Sequence, residues 1–504
     1  MKKNKIFASA LIAGCLLASS PLAAQNKTVR LTTAKEMGSQ VTLLVNYNNK
    51  GVTVDWGDGQ AVAYTTAKDD GVTVIEGTTK GNIITIKGNF NWKTLGCANN
   101  QITKIDLSEA KDLTSLYCQN NEIDTLNLTG MTQLVDLDCS FNKLKKLVLQ
   151  TGDRASTDLA SIENLNISNN ELSGSYYYKL PTLQTLNISN NAYTTCYVYD
   201  KQLKSLNCAN NAIEGKTLAL NSAVELSNLI CNGNGIKAIV LANNGAKIRQ
   251  LICDDNTIQS LNLSNAEELI DLSCKGNGIS DLQLHKSASM SSLNLSDNNL
   301  TFAALPGKSK KPAYIEFEPQ APFDISKCEG IVMNSNVPTV PLSESWSDKH
   351  LLELNEYTSL LDKRPDADYA WFSVQADGSE TEMTRRSTSS GTEDYYASYG
   401  KFAFFTPQKK AYAKFTSKTY GFTIQSTPVA IGNDITAVDQ VISNGKDLSI
   451  AVTGNTILLK SSQEVMVSIF TLDGKTVWQG MVNPSASVQL PKGVYVVNGK
   501  KVIL

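Results

Sequence analysis

A pattern about 21 residues long returns ten times between Trp92 and Leu300, and nothing else in the sequence limits the possible folds so tightly. Its second copy, Leu113-Thr-Ser-Leu116-Tyr-Cys118-Gln-Asn-Asn121-Glu-Ile123-Asp-Thr-Leu126-Asn-Leu128, reads L-x-x-L-x-C-x-x-N-x-I-x-x-L-x-L. The sixth position is Cys97, Cys118, Cys139, Ile167, Ile188, Cys208, Cys231, Cys253, Cys274 and Leu295, and the ninth is always Asn, from Asn100 to Asn298. A fixed period of this size means one supersecondary unit per copy, and the units stack because none can bury its apolar face alone. L-x-x-L-x-C predicts a short strand whose alternation turns the fourth and sixth side chains inward. The Asn then takes the chain out of the strand, its amide supplying both donors and acceptors to backbone groups in the turn.

This motif resembles the leucine-rich repeat family over roughly 210 of the 504 residues. The resemblance implies a mostly β fold, a solenoid of about ten coils, and a binding surface. The expected organisation is a signal peptide at 1–24, an N-terminal β cap at 25–90, repeats at 91–307, a β-sandwich at 312–430 and a small β module at 435–504.

The first 24 residues read as an export signal: basic Lys2, Lys3 and Lys5, an apolar run from Ile6 to Ala18, and small Ala23-Ala24 before Gln25. A competing reading takes Ile12-Ala13-Gly14-Cys15 as a lipobox, which would acylate Cys15. Both place the chain outside the cytoplasm, at the cell surface or beyond it. Residues 26 to about 90 alternate apolar and polar, as in Val41-Thr-Leu43-Leu-Val45, the period-2 signal of strands. Val54-Asp55-Trp56-Gly57-Asp58-Gly59 resembles the turn of PKD-like β-sandwich domains. Asp55 and Asp58 belong to a hairpin turn on this reading, since the frame of a calcium loop is missing. The segment is expected to cap the first coil.

The repeats end near Leu300-Thr-Phe302 and the pattern is not expected to resume. From Tyr314 to about Pro428, short alternating runs such as Tyr369-Ala-Trp-Phe-Ser-Val374 suggest an immunoglobulin-like sandwich. Leu351 to Leu361 fits either a short helix or a strand. The last 68 or so residues hold two hairpins, one turning at Asp473-Gly474 and one running from Leu490-Pro-Lys-Gly493 to Leu504. This module resembles the type A C-terminal sorting domain of the type IX secretion system of Bacteroidetes-type bacteria, which implies export machinery as a partner.

The outward residues of the repeat strands define the candidate site. At the fifth position, between the two inward residues, stand Tyr117, Asp138, Asn166, Asn187, Asn207, Ile230, Ile252 and Asn294, with Gly96 at the start and Ser273 late in the column. Asp136, Asn164, Asn228, Asn232, Gln250, Asp254 and Asp271 add to the same polar face. With strands about 4.8 Å apart, ten span about 45 Å, room for a protein domain or an extended polymer. Ile230 and Ile252 form an apolar pair that suits an anchor, or are ordinary surface residues. Tyr176, Tyr177, Tyr178, Tyr193, Tyr197 and Tyr199 crowd the fourth and fifth coils, either as a contact patch or as packing.

No chemistry is signalled. A net charge of -2 gives no footprint for nucleic acid. A mean hydropathy of -0.18, with no 18-residue apolar run after residue 24, argues against a membrane span. His285 and His350 stand apart with no metal spacing, and no G-x-S-x-G, phosphate loop or dinucleotide motif occurs. Seven of the cysteines share the sixth position and read as small inward hydrophobes rather than metal or redox groups. The expectation is a secreted or surface-held, non-catalytic binding or adhesion protein. It needs no cofactor and no metal, and its repeat sheet meets a protein. The alternative is a glycan-binding or scaffold component working through its β domains.

Overall fold

The computed structural model describes residues 27–504 apart from 47–50, 66–70, 89–92, 150–158, 246, 307–309, 324–332, 335–336, 342–366, 386–393, 399–400, 405–407, 432–447, 454, 472–473 and 498–499. Expectations placed on the signal segment with Cys15, on His350 and on 351–361 lie outside the described residues.

Each repeat contributes one three-residue strand to a continuous sheet. Coil 1 gives Thr94–Gly96, and Ser115–Tyr117, Asp136–Asp138, Asn164–Asn166 and Thr185–Asn187 follow. Ser205–Asn207, Asn228–Ile230, Gln250–Ile252, Asp271–Ser273 and Ser292–Asn294 complete ten coils. All pair parallel and in register, so the fourth-position leucines stack from Leu95 to Leu293. These leucines and the sixth-position residues are buried, and each buried leucine contributes about 2 kcal/mol. On the far side, two-stranded parallel ribbons join coils 2 to 9 in pairs, such as Ser173–Tyr176 against Ala192–Cys196, and Ala242–Gly245 forms a turn in which Asn243 and Asn244 are left-handed. The result is a nearly all-β solenoid of the leucine-rich-repeat type.

The ninth-position asparagines stitch neighbouring coils. Asn191 donates from Nδ2 to the carbonyls of Ile188 and Ser189 in its own coil and of Ile167 in the coil before, at 3.0–3.2 Å. Its Oδ1 accepts from the Leu172 amide at 3.0 Å. Asn142, Asn170, Asn211, Asn234, Asn256 and Asn277 repeat this arrangement. Backbone groups that a tight turn would strand are thereby paired. The residue just before each Asn takes the left-handed conformation, with φ between +52° and +66° throughout. Asn, Asp and Gly fill that column, as the Cβ clash there demands, except at Phe141.

Among its described residues the N-terminal segment forms six strands: β1 (Lys27–Thr33), β2 (Gln40–Asn46), β3 (Gly51–Asp55), β4 (Ala61–Thr65), β5 (Thr73–Thr78) and β6 (Ile83–Gly88). They grip coil 1 from both sides. β2 pairs antiparallel with Thr94–Gly96, and β1 pairs with Ile102–Asp106 on the other ribbon. Gly96 permits the first contact: a Cβ there would lie 2.8 Å from the Leu44 Cβ. The β3–β4 hairpin turns as the Asp-Gly sequence dictates, with Asp55 Oδ1 accepting from the Gly57 and Gly59 amides. Asp58 accepts from Gln60 and from Lys80, so both carboxylates serve the turn.

The sequence expectation fails at the far end of the sheet. Tyr314–Glu316, read as the start of the sandwich, pairs parallel with Ser292–Asn294 as an eleventh rung. Ile315 takes the register of Leu293, and Phe317 and Gln320 then fall at the sixth and ninth positions. The chain divides into two units at this point, one reaching to Ser296 and including Pro312–Glu316, the other Asp297–Lys311 with Phe317–Leu504. Within the second unit Gln320 Oε1 accepts from the Leu300 amide, as Asn142 does from Ile123, and Gln320 Nε2 donates to the Phe317 carbonyl. The pattern therefore resumes once, with phenylalanine and glutamine where the earlier coils carry cysteine and asparagine.

Beyond it, Ala367–Val374 and Gln408–Ser417 form the central pair of one sheet, and Val337–Pro341 with Lys401–Phe404 that of another. The C-terminal module holds its two expected hairpins, Val465–Thr471 with Thr476–Val482 and Val494–Val497 with Lys500–Ile503. Val467, Ile469, Val497 and Val502 lie in its core.

Candidate functional site

The open face of the sheet carries the fifth-position residues, half-buried between neighbouring rungs from Tyr117 to Asn294. Only Gly96 is covered, by Leu44, so the free face begins at coil 2. Four of the predicted residues, Tyr117, Asp138, Asn166 and Asn187, come together in one hollow of about 300 Å³. Asp136, Asn164 and Thr185 complete its polar lining. Asn207, Ile230, Ile252 and Asn294 lie further along the same face. Ile230 and Ile252 are direct partners on adjacent strands, but half-buried rather than exposed, because the flanking rungs shield them.

The hydrogen bonds qualify what this amide-rich face offers. Asn166 Oδ1 accepts from the amide and hydroxyl of Ser168 at 3.2 and 2.8 Å, and Asn187 does the same with Ser189. Asp138 with Ser140 repeats the turn at 2.9 and 2.7 Å. An Asx turn thus takes one oxygen from each side chain and leaves the rest of the group outward. Asn294 is further committed: its Oδ1 serves Ser296 and its Nδ2 donates to Glu316 Oε2 at 2.7 Å. It is a joint to the eleventh rung as well as a member of the outward column. Asp136 is held by Asn164 Nδ2 at 2.7 Å and faces the Ser115 hydroxyl at 3.4 Å.

Phe141 escaped the sequence reading. It is 56% exposed and lies three residues beyond Asp138 on coil 3. The available signal was the break it makes in the eighth-position column of Asn, Asp and Gly.

The tyrosines divide between the two roles considered for them. Tyr176 and Tyr193 are buried, edge-to-face at 6.0 Å, and burial pushes both hydroxyls upward in pKa. Tyr177, Tyr197 and Tyr199 are exposed. Tyr177 stacks on Tyr178 and Tyr197 on Tyr199, and Lys179 Nζ sits 5.3 Å from the centre of the Tyr199 ring. Asp200, next in sequence to Tyr199, is buried, its Oδ1 accepting from the Leu180 amide at 2.8 Å and its Oδ2 unpartnered. Burial raises this carboxyl to about 6.

The eight described cysteines are buried. Burial drives the thiols of Cys97, Cys231, Cys253 and Cys274 upward. For Cys118 and Cys196 the contact with the next thiol, Cys139 or Cys208, weighs more than burial. Thiols held this far into the neutral form are packing groups. Among the described residues no group of three or more His, Cys, Asp or Glu is placed to hold a metal ion, and no helix is long and apolar enough to cross a membrane.

No family model matches the sequence, and no curated protein matches it. Among solved structures, the chain is similar to the functional domain of InlJ from Listeria monocytogenes, described as including a cysteine ladder. That match has 16% identity and a TM-score of 0.32, and covers 68% of this chain and 92% of that one.

Proposed function

We propose that this protein is a non-catalytic binding or adhesion protein of the cell exterior, whose repeat sheet engages a macromolecule, foremost a protein. The observation that carries the reading is the half-buried outward column, polar from Tyr117 to Asn207 and apolar at Ile230 and Ile252, with its hollow on coils 2 to 5. A rigid, hydrogen-bonded sheet presents that surface at little cost in ordering, which favours binding. Charge-changing variants at Tyr117, Ile230 and Ile252, tested in the full chain for capture of its surface partner, are expected to abolish capture with an unchanged melting temperature. Unchanged capture would refute the reading.

The basic and apolar N-terminal segment and the paired C-terminal hairpins support export, the latter through sorting machinery of the Bacteroidetes type. Cell fractionation with intact-mass measurement is expected to find the protein outside the cell without residues 1–24. A glycan-binding role is a second reading, favoured by the exposed Tyr177, Tyr197 and Tyr199. Flat exposed rings suit the apolar faces of sugars, and loss of glycan-array signal in Tyr177→Ala/Tyr197→Ala would support it.

A further inference from the structure

Among the ten coils, coil 3 alone breaks the eighth-position rule of the repeat and alone carries a carboxylate at the variable fifth position. At the fifth position, coils 4, 5 and 6 carry Asn166, Asn187 and Asn207, whereas coil 3 carries Asp138. The turn works identically with either residue, since both accept from the residue two positions on. The charge is therefore not needed for the fold. At the eighth position, nine coils carry Asn, Asp or Gly in the left-handed conformation, whereas coil 3 forces a phenylalanine there at φ +52°. Its ring is then left more than half exposed, where burial cannot offset the strain. Asp138 lines the hollow and Phe141 follows it by three residues on the same coil; among the described residues the hollow is lined by the two carboxylates of Asp136 and Asp138, the ring of Tyr117 and the amides of Asn164 and Asn166, with no Lys or Arg.

We propose that coil 3 is the centre of the binding surface and that its occupant is a protein segment presenting a lysine or arginine beside an apolar side chain. The inference rests on the concave-face reading above and names its partner. Charge complementarity selects the occupant. A guanidinium or ammonium group entering the hollow meets two carboxylates and an aromatic ring. Phe141, exposed three residues beyond Asp138, supplies the apolar surface for the neighbouring side chain.

The repeat supplies its own controls. Asp138→Asn and Phe141→Asn each convert coil 3 into the form its neighbours already fold with. The probe is a fluorescein-labelled Gly-Leu-Arg-Leu-Gly peptide, with citrulline replacing arginine as its neutral twin, titrated into the full chain by anisotropy at low salt. The arginine peptide is expected to bind at least about tenfold more tightly than the twin, with salt weakening the difference. Asp136→Asn/Asp138→Asn is expected to erase that preference. Phe141→Asn is expected to weaken both peptides about fivefold while its melting temperature stays level or rises. Equal binding of the twins, or a Phe141→Asn variant that binds as the parent does, overturns the proposal. So does tighter binding of an uncharged oligosaccharide at the same residues. If the arginine preference is absent while the Tyr117, Ile230 and Ile252 variants still abolish partner capture, this inference fails and the concave-face reading stands.

Discussion

Two columns of asparagine run along this solenoid, and the same amide does opposite work in each. The ninth-position column lies at the corner of the coil, where Asn191 spends both hydrogens of Nδ2 on three carbonyls and its oxygen on a fourth backbone group. The fifth-position column lies on the open sheet, where Asn187 uses its oxygen within its own turn and keeps its donors outward. The first column holds coils to one another and the second lines the open face of the sheet. Position relative to the strand, rather than residue type, assigns the role.

The largest test of that contrast removes an amide from the corner. Asn191→Ala strands three carbonyls and the Leu172 amide at half-buried sites, and the expected loss is about 2–4 kcal/mol, read as a fall in denaturation midpoint. A loss under about 1 kcal/mol would mean the corner column does not bind the coils together.

Asp200 offers the next test, because it caps Leu180 as a corner asparagine would but has no hydrogen to give. Its folded pKa, about 6, lies above the ordinary 3.8, so the folded state favours the protonated acid. Its contribution to stability is full below pH 3.8 and is lost as pH rises towards 6, by about 2–3 kcal/mol. Asp200→Asn is expected to flatten the pH dependence of the melting temperature over that window, and an unchanged slope would refute this.

Cys253→Ser places a hydroxyl among buried aliphatic groups and is expected to cost about 1–3 kcal/mol, with Cys253→Ala milder. On the open column, Asn187→Ala removes one local turn at a half-buried site, and about 0.5–1.5 kcal/mol should follow. The smallest effect has the opposite sign. Phe141→Asn relieves a left-handed phenylalanine and is expected to stabilise by about 1 kcal/mol in the same melts.

The coil itself was legible in the sequence, because its rule is local. A leucine two residues before a cysteine, and an asparagine three after it, specify an inward pair and a corner without reference to any other coil. What the structure added depends on relations between coils. The eleventh rung hid from the pattern because Phe317 and Gln320 preserve its chemistry while changing its letters. The tyrosines of coils 4 and 5 share a composition signal, yet Tyr176 faces the interior and Tyr177 faces solvent, since successive residues of an extended ribbon point to opposite sides.

The sequence alone therefore determined the repeat, its inward cysteines and leucines, its asparagine corners and which residues stand outward. Only the tertiary structure decided that Asp138 and the asparagines of the open face give one oxygen to their own turns. It also decided that Asn294 is tied to Glu316, that the outward residues of coils 2 to 5 enclose a hollow, and that Phe141 is exposed. Periodicity fixes the direction of a side chain. The partner it finds depends on which strands lie beside it, and that is set by stacking.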